Sequence, residues 1–216
     1  MIITDIIQGT MSETKDLAVT QTQSNNLAVR IDAIRQRYGT AQQCLQVTFN
    51  PSNQAWYGQY PQQCVCGKAP YLIDVTRTYG KGQCLAWLAG QIGNFSEYSG
   101  AKVKLTAEQL TECAQIVYAK FALRMKVTDI MLFYFKLKCK DFGDVGYNTI
   151  DPIFIIDNLK KYCQYQGDVL DKYDREQAAQ NVRRIVLSDE QIEKIKEIQD
   201  RIHKRWAEKE KSNNDQ

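Results

Sequence analysis

Helical periodicity dominates the middle of the chain. Apolar residues recur three or four positions apart over residues 71–79, 83–98 and 106–121. This spacing places the apolar side chains on one face of each helix, as in helices that pack on a core. Thr106 followed by Gln109 is a capping box, which marks the start of the third helix. We therefore predict a mainly α-helical fold, a small helical bundle.

One run, from Ile130 to Phe135, is apolar at every position. Six apolar residues would also fit a buried strand. Thr128 before the run is a favourable N-cap, and three lysines follow it, where cations suit the C-terminus of a helix. We therefore predict a central helix from Thr128 to Lys138 that is buried on every side.

The two ends of the chain differ from this bundle. Residues 1–26 are polar in their second half and predict a flexible N-terminal arm. Residues 27–70 predict a short helix and then an irregular segment rich in Cys and Pro, with one short strand at Leu45 to Phe49. We assign residues 71–181 to a helical core domain and residues 182–216 to a C-terminal helical extension with a frayed tail.

Turn signals divide the second half of the chain. Asp141 to Ile150 contains two glycines and predicts a turn or a short β-hairpin. Asp151-Pro152 supplies an N-cap and a first helical residue, and Gly167 is expected to end that helix before a second, polar one. Ser188 with Gln191 predicts the capping box of a final amphipathic helix.

Composition narrows the class of protein. The chain has 216 residues, of which 44% are hydrophobic and 25% are charged, as in ordinary globular proteins. No run of about 18 apolar residues is present, so we expect no membrane-spanning helix and no membrane partner. Seven cysteines without a recognisable export signal predict a reducing compartment, so we expect a cytoplasmic protein.

Candidate catalytic chemistry is sparse. The only histidine, His203, lies in the charged tail. Histidine is the most common general base, and no serine or cysteine nucleophile has one nearby in the predicted fold. We therefore predict that the chain is not an enzyme and uses no cofactor.

Four cysteines, Cys44, Cys64, Cys66 and Cys84, lie within or just after the irregular segment. Four thiolates can hold zinc. However, Cys64 and Cys66 are separated by one residue instead of the usual two, and the outer spacings are long. We predict free thiols and no metal, with a structural zinc site as the minor alternative.

Positive charge is concentrated in one window. Residues 101–140 carry eight basic and three acidic residues, although the net charge of the chain is only +3. Two interpretations stay open: contacts to nucleic-acid phosphates, or solvated lysines at the ends of buried helices. The candidate nucleic-acid-binding residues are Lys120, Arg124, Lys126, Lys136, Lys138 and Lys140.

The final predicted helix carries an apolar stripe on an otherwise charged surface. Ile195, Ile198, Ile202 and Trp206 recur close to every 3.5 residues, as in short coiled coils. These four residues are the candidate partner-binding residues, either for another protein or for a second copy of the chain. The alternative is that the stripe packs back on the bundle.

Several runs carry a resemblance to a known family. The motifs YGKG at 79–82, FSEYSG at 95–100 and KVTDIMLFYFKLKC at 126–139 resemble a family of small uncharacterised proteins of Bacteroidales prophages and mobile elements. The resemblance covers about residues 71–162. The helix pattern is also similar to phage helicase-loader and replisome-organiser domains. This resemblance implies a replication-associated adaptor that binds a replicative helicase and, weakly, DNA. The alternative is a protein-interaction or structural protein with no nucleic-acid role.

Overall fold

Helices account for nearly all ordered elements of the chain. The computed structural model describes residues 26–144, 150–184 and 189–214. Within these ranges the prediction of a mainly α fold is confirmed. The helices are α1 (26–38), α2 (Gln54–Gly58), α3 (Pro61–Cys66), α4 (Leu72–Tyr79), α5 (Lys81–Tyr98), α6 (Ala107–Phe121), α7 (Val127–Lys138), α8 (Pro152–Arg184) and α9 (Asp189–Asn214).

The predicted β-hairpin is not supported. Asp141 and Phe142 form a turn, and residues 145–149 of the expected hairpin lie outside the described residues. No strand occurs in the described ranges, where the only strand-like pairing is an isolated bridge between Tyr71 and Lys126.

The chain divides into two compact units. The first, Met1–Leu170, contains the bundle from α1 to the first half of α8. The second, Asp171–Gln216, contains the end of α8 and all of α9. The domain limits proposed from the sequence stay predictions.

Helix α7 forms the centre of the first unit, as predicted. Its residues from Ile130 to Tyr134 are each at most 1% exposed. Helices α2, α3 and α5 pack around it. The predicted N-cap, Thr128, is wrong: α7 begins at Val127, and the Thr128 hydroxyl donates a hydrogen bond to the Cys64 carbonyl (2.8 Å). The hydroxyl thus bonds to a backbone carbonyl of α3 instead of capping the N-terminus of its own helix.

The segment predicted to be irregular consists mainly of short helical turns. A π-helix spans Gln42–Thr48, where a strand was predicted at Leu45 to Phe49, and a 3-10 turn, α2 and α3 follow. The strand prediction is wrong because the Phe49 carbonyl has partners in α5. It accepts hydrogen bonds from Trp87 Nε1 (2.8 Å) and Gln91 Nε2 (3.0 Å). Two side chains of α5 thus supply the hydrogen bonds that the Phe49 carbonyl would accept from a neighbouring strand in a sheet.

Backbone pairing joins the start of α4 to the junction between α6 and α7. The Leu72 amide donates to the Met125 carbonyl, and the Val127 amide donates to the Pro70 carbonyl, both at 3.0 Å. These bonds close a loop of more than 50 residues and set the position of the first residue of α7. The predicted capping box of Thr106 and Gln109 is confirmed at the start of α6.

Helix α8 begins as predicted but does not end at Gly167. Asp151 Oδ1 accepts a hydrogen bond from the Ile153 amide (2.8 Å), and Pro152 is the first helical residue. The helix continues through Gly167 to Arg184. One glycine costs a helix only about 1 kcal/mol, and the buried residues Tyr162, Cys163 and Gln166 hold the helix in place just before it. The predicted cap Ser188 lies outside the described residues.

Gly58 provides a direct test of how α2 packs on α7. A Cβ atom placed on Gly58 would lie 2.3 Å from the Phe135 ring, whereas one on Gly90 in α5 meets nothing within 4 Å. We expect Gly58→Ala to lower the free energy of unfolding by about 1–3 kcal/mol through overpacking. The matched Gly90→Ala variant should gain about 0.5–1 kcal/mol of helix propensity. Urea denaturation of both variants measures the difference, and equal stabilities would contradict this packing.

Candidate functional site

Lys126 is the first of the predicted nucleic-acid-binding residues to be reassigned. It is only 9% exposed. Its ammonium group donates hydrogen bonds to the carbonyls of Val65 (2.5 Å) and Gly67 (2.8 Å), which end α3. With two of its three donors used by these carbonyls, the ammonium group ties the start of α7 to the end of α3. Lys126 therefore has a structural role, and any contact of its ammonium group with a phosphate stays a prediction.

Asp129, in the first turn of α7, holds the second buried charge. Its carboxylate is fully buried and accepts hydrogen bonds from the Lys126 amide (2.9 Å), the Tyr162 hydroxyl (3.1 Å) and Gln166 Nε2 (3.0 Å). Burial raises the pKa of Asp129 to about 6, while the Lys126 and Tyr162 hydrogen bonds lower that pKa in part. The network joins α7 to α8, and sequence reasoning missed it because its partners lie more than 30 residues away.

Three other candidate lysines are paired within the protein. Lys136 forms an ion pair with Asp141 (2.8 Å) and stands 4.4 Å from the centre of the Tyr165 ring. Lys138 donates a hydrogen bond to Asn94 Oδ1 (2.6 Å), and burial lowers its pKa. Lys140 pairs with Asp144 (2.9 Å). Two of these three lysines thus have a carboxylate partner, and Lys138 is bonded to a neutral amide.

Lys120 and Arg124 differ from Lys136 and Lys140 in forming no ion pair with a residue that the structure describes. Both are exposed, at the C-terminal end of α6 and in the turn that follows it. Arg124 Nη2 also donates to the Cys163 carbonyl (3.2 Å), so part of its hydrogen-bonding capacity is already used. The structure therefore brings the six basic residues near the two ends of α7 without forming one continuous basic face. Binding of nucleic acid by Lys120 and Arg124 stays a prediction.

The four cysteines of the minor zinc hypothesis do not converge. No group of three or more His, Cys, Asp or Glu side chains suited to a metal occurs in the described ranges. Cys64 donates instead to the Tyr57 carbonyl (3.4 Å) and Cys84 to the Leu72 carbonyl (3.7 Å). Burial raises the pKa of Cys44 and of Cys84 to about 11 and that of Cys64 to about 12. Cys64 and Cys84 thus bond to backbone carbonyls, and no cluster of ligands in the part of the chain that the structure describes supports the zinc hypothesis.

Helix α9 carries an exposed row of apolar side chains, which we call the isoleucine stripe. It consists of Ile192, Ile195, Ile198 and Ile202, which are between 38% and 52% exposed. All other described side chains of α9 are exposed as well. The side chain of Trp206, the next position of the predicted stripe, lies outside the described residues. The isoleucine stripe is the candidate functional site, because isoleucines are normally buried and no described side chain of the second unit covers these four.

Comparison with known proteins adds no assignment. No family model, no curated protein and no solved structure matches this chain. The resemblance to prophage and mobile-element proteins therefore stays a prediction. None of the described helices combines the length and the apolarity that crossing a bilayer requires.

The buried carboxylate generates a pH prediction. The pKa of Asp129 is about 6 in the folded protein against an ordinary value of 3.8, so the folded state binds this proton more tightly than the unfolded chain does. The stability from this group is complete below the ordinary pKa and is lost as the pH rises through about 6. In Asp129→Asn this residue no longer titrates, so the loss of stability with rising pH disappears. The NH₂ group of the new side chain can donate to the Tyr162 oxygen, and its carbonyl oxygen can accept from the Lys126 amide.

We expect the free energy of unfolding of Asp129→Asn, minus that of the wild type, to rise by up to about 3 kcal/mol between pH 4 and pH 6. Urea denaturation across this range measures it. Asp157→Asn is the control: Asp157 is exposed and its hydrogen bond with Lys160 lowers its pKa, so its small effect has the opposite sign. Parallel pH profiles for the wild type and Asp129→Asn would contradict the expected titration.

Proposed function

We propose that the protein is a non-enzymatic interaction protein that self-associates through the isoleucine stripe of α9. The observation that supports this proposal is the exposure of Ile192, Ile195, Ile198 and Ile202 along one side of a helix 26 residues long. Full burial of an isoleucine side chain is worth about 1.5–3 kcal/mol, so four isoleucines that are about half exposed leave part of this energy available for association.

The spacing of the stripe favours another helix as its occupant. The isoleucines recur at intervals of three, three and four residues. This is the narrow seam along which two or more helices interdigitate in a coiled coil. A flat or irregular partner surface would not match a single row of β-branched side chains as well.

Charge favours a second copy of α9 as that helix. Asp189–Asn214 contains as many acidic as basic side chains, so two copies bring together no net charge of one sign. Glu193 and Glu197 lie on the face of the helix opposite the stripe, so these acidic side chains stay in solvent when two stripes meet.

A replication-associated adaptor of a phage or mobile element is the second candidate function. The exposure of Lys120 and Arg124 favours it, because two accessible cations would be available to nucleic-acid phosphates. In this case a replicative helicase or another replication protein would occupy the isoleucine stripe, and DNA would bind weakly. The low number of accessible cations in the predicted cluster makes self-association the better supported of the two.

The oligomeric state tests the proposal. In the stripe variant, Ile195, Ile198 and Ile202 are replaced by Ala; in the control, Glu193, Glu197 and Asp200 on the opposite face of α9 are replaced by Ala. Alanine is the best helix former, so α9 is retained in both. We expect sedimentation equilibrium to give a multiple of 24.9 kDa for the wild type and the control, and 24.9 kDa for the stripe variant.

The size of the effect follows from burial. Each truncation removes about 2 kcal/mol of interface stabilisation per chain, enough to dissociate a micromolar complex when three are combined. A monomeric wild type at about 100 µM, well above a micromolar dissociation constant, would contradict self-association. So would a stripe variant with an unchanged mass.

A further inference from the structure

A cleft of about 420 Å³ lies in the first unit, between α1 and the segment that joins α3 to α4. This volume is in the range of small-molecule sites in proteins. Four of the side chains that line it are cationic, namely Arg30, Arg37, Lys68 and Lys126, and one is acidic, Asp74. The cleft is thus strongly positive. The distribution of charge along the sequence did not predict a positively charged cleft.

The single carboxylate does not cancel this charge. Asp74 is 3% exposed and pairs with Arg30 through Oδ2, while Arg77 Nη1 stands 3.9 Å from Oδ1. Two guanidinium groups therefore neutralise Asp74 already. The positive charge of Arg37, Lys68 and Lys126 remains for a bound anion.

Arg37 and Lys68 belong to opposite walls of the cleft. Arg37 is in the last turn of α1, and Lys68 follows the end of α3. Both side chains are exposed, and neither forms an ion pair with any residue that the structure describes. Two accessible cations that face one cleft from two sides are suited to hold a single oxyanion between them.

Lys126 adds a fixed donor beside the same cleft. Its ammonium group has three N–H donors, and two of them go to the Val65 and Gly67 carbonyls. The nitrogen lies 5.7 Å from the centre of the Tyr71 ring, which also lines the cleft. Because these contacts hold the ammonium group in place, its positive charge requires no side-chain ordering when an anion binds.

The remaining walls are apolar or aromatic. Ala33, Ile34, Ala69 and Pro70 line the cleft together with the rings of Tyr38 and Tyr71. A bare inorganic ion would leave these surfaces in water. A ligand that combines a phosphate with an organic group would cover them and also meet the three cations.

We propose that this cleft binds an organic phosphate, with Arg37, Lys68 and Lys126 around the phosphate group. The inference goes beyond the proposed self-association and does not depend on α9. A free nucleotide and the terminal phosphate of an oligonucleotide share the required chemistry, which is a phosphate attached to a planar, partly apolar group. The small volume of the cleft favours either of these over a duplex.

Isothermal titration of the full chain tests this site with four probes: ATP, adenosine, and a short thymidine oligonucleotide with and without a 5′-phosphate. The cleft variant replaces Arg37 and Lys68 by Ala. The control variant replaces Lys102 and Arg175 by Ala, which removes the same charge from other exposed positions. All four positions are exposed, so both variants are expected to fold, and circular dichroism checks this.

We expect saturable binding of ATP, or of the 5′-phosphorylated oligonucleotide, by the wild type and the control. The cleft variant should bind at least about tenfold more weakly, since it loses two charge-assisted hydrogen bonds. Tighter binding of ATP would identify a free nucleotide as the ligand, and tighter binding of the phosphorylated oligonucleotide would identify a strand end.

Three results would overturn the proposal. The first is the absence of saturable binding for both phosphorylated probes. The second is equal affinity for a phosphorylated probe and its partner without phosphate. The third is an equal loss of affinity in the cleft variant and the control variant, which would indicate attraction by net charge alone.

Discussion

The arrangement of the first unit depends on two charged groups that are buried where α7 begins. Lys126 is held by carbonyls at the end of α3, and Asp129 is held by the hydroxyl of Tyr162 and the amide of Gln166 on α8. A buried charge without partners costs several kcal/mol, so each of these groups is tolerated only with its hydrogen bonds formed. That requirement adds directional constraints between α3, α7 and α8 to those of apolar packing.

This constraint explains why the basic window of the chain is not a basic surface. Lys126 is buried and bonds to carbonyls of the protein. At the other end of α7, Lys136 packs on the Tyr165 ring and Lys138 packs on the Tyr98 ring. An apolar helix that is buried on every side has its charged residues only at its ends, where neighbouring helices supply partners for them. The accessible features of the molecule are elsewhere: a cationic cleft beside α1 in the first unit, and the isoleucine stripe in the second.

Local signals in the sequence were sufficient for most of the helices and for the stripe. The periodicity identified α4 to α7, the Thr106 capping box marked the start of α6, and the spacing of Ile195, Ile198 and Ile202 identified the apolar side of α9. Two of the failures involve partners distant in the sequence: Thr128 bonds to Cys64, and Phe49 bonds to Trp87 and Gln91. In the third, Gly167 lies within a helix that continues past it. The cleft was missed because its cations are spread from residue 30 to residue 126.

The most direct test of the central claim compares Lys126→Met with Lys120→Met by urea denaturation. Both variants lose one positive charge and keep a long side chain, but Lys120 is exposed on α6. We expect Lys126→Met to lower the free energy of unfolding by about 3 kcal/mol, because the Val65 and Gly67 carbonyls lose their buried donor. Lys120→Met should change it by less than about 0.5 kcal/mol. Equal stability of the two variants would show that the buried charges are not what holds α3, α7 and α8 together.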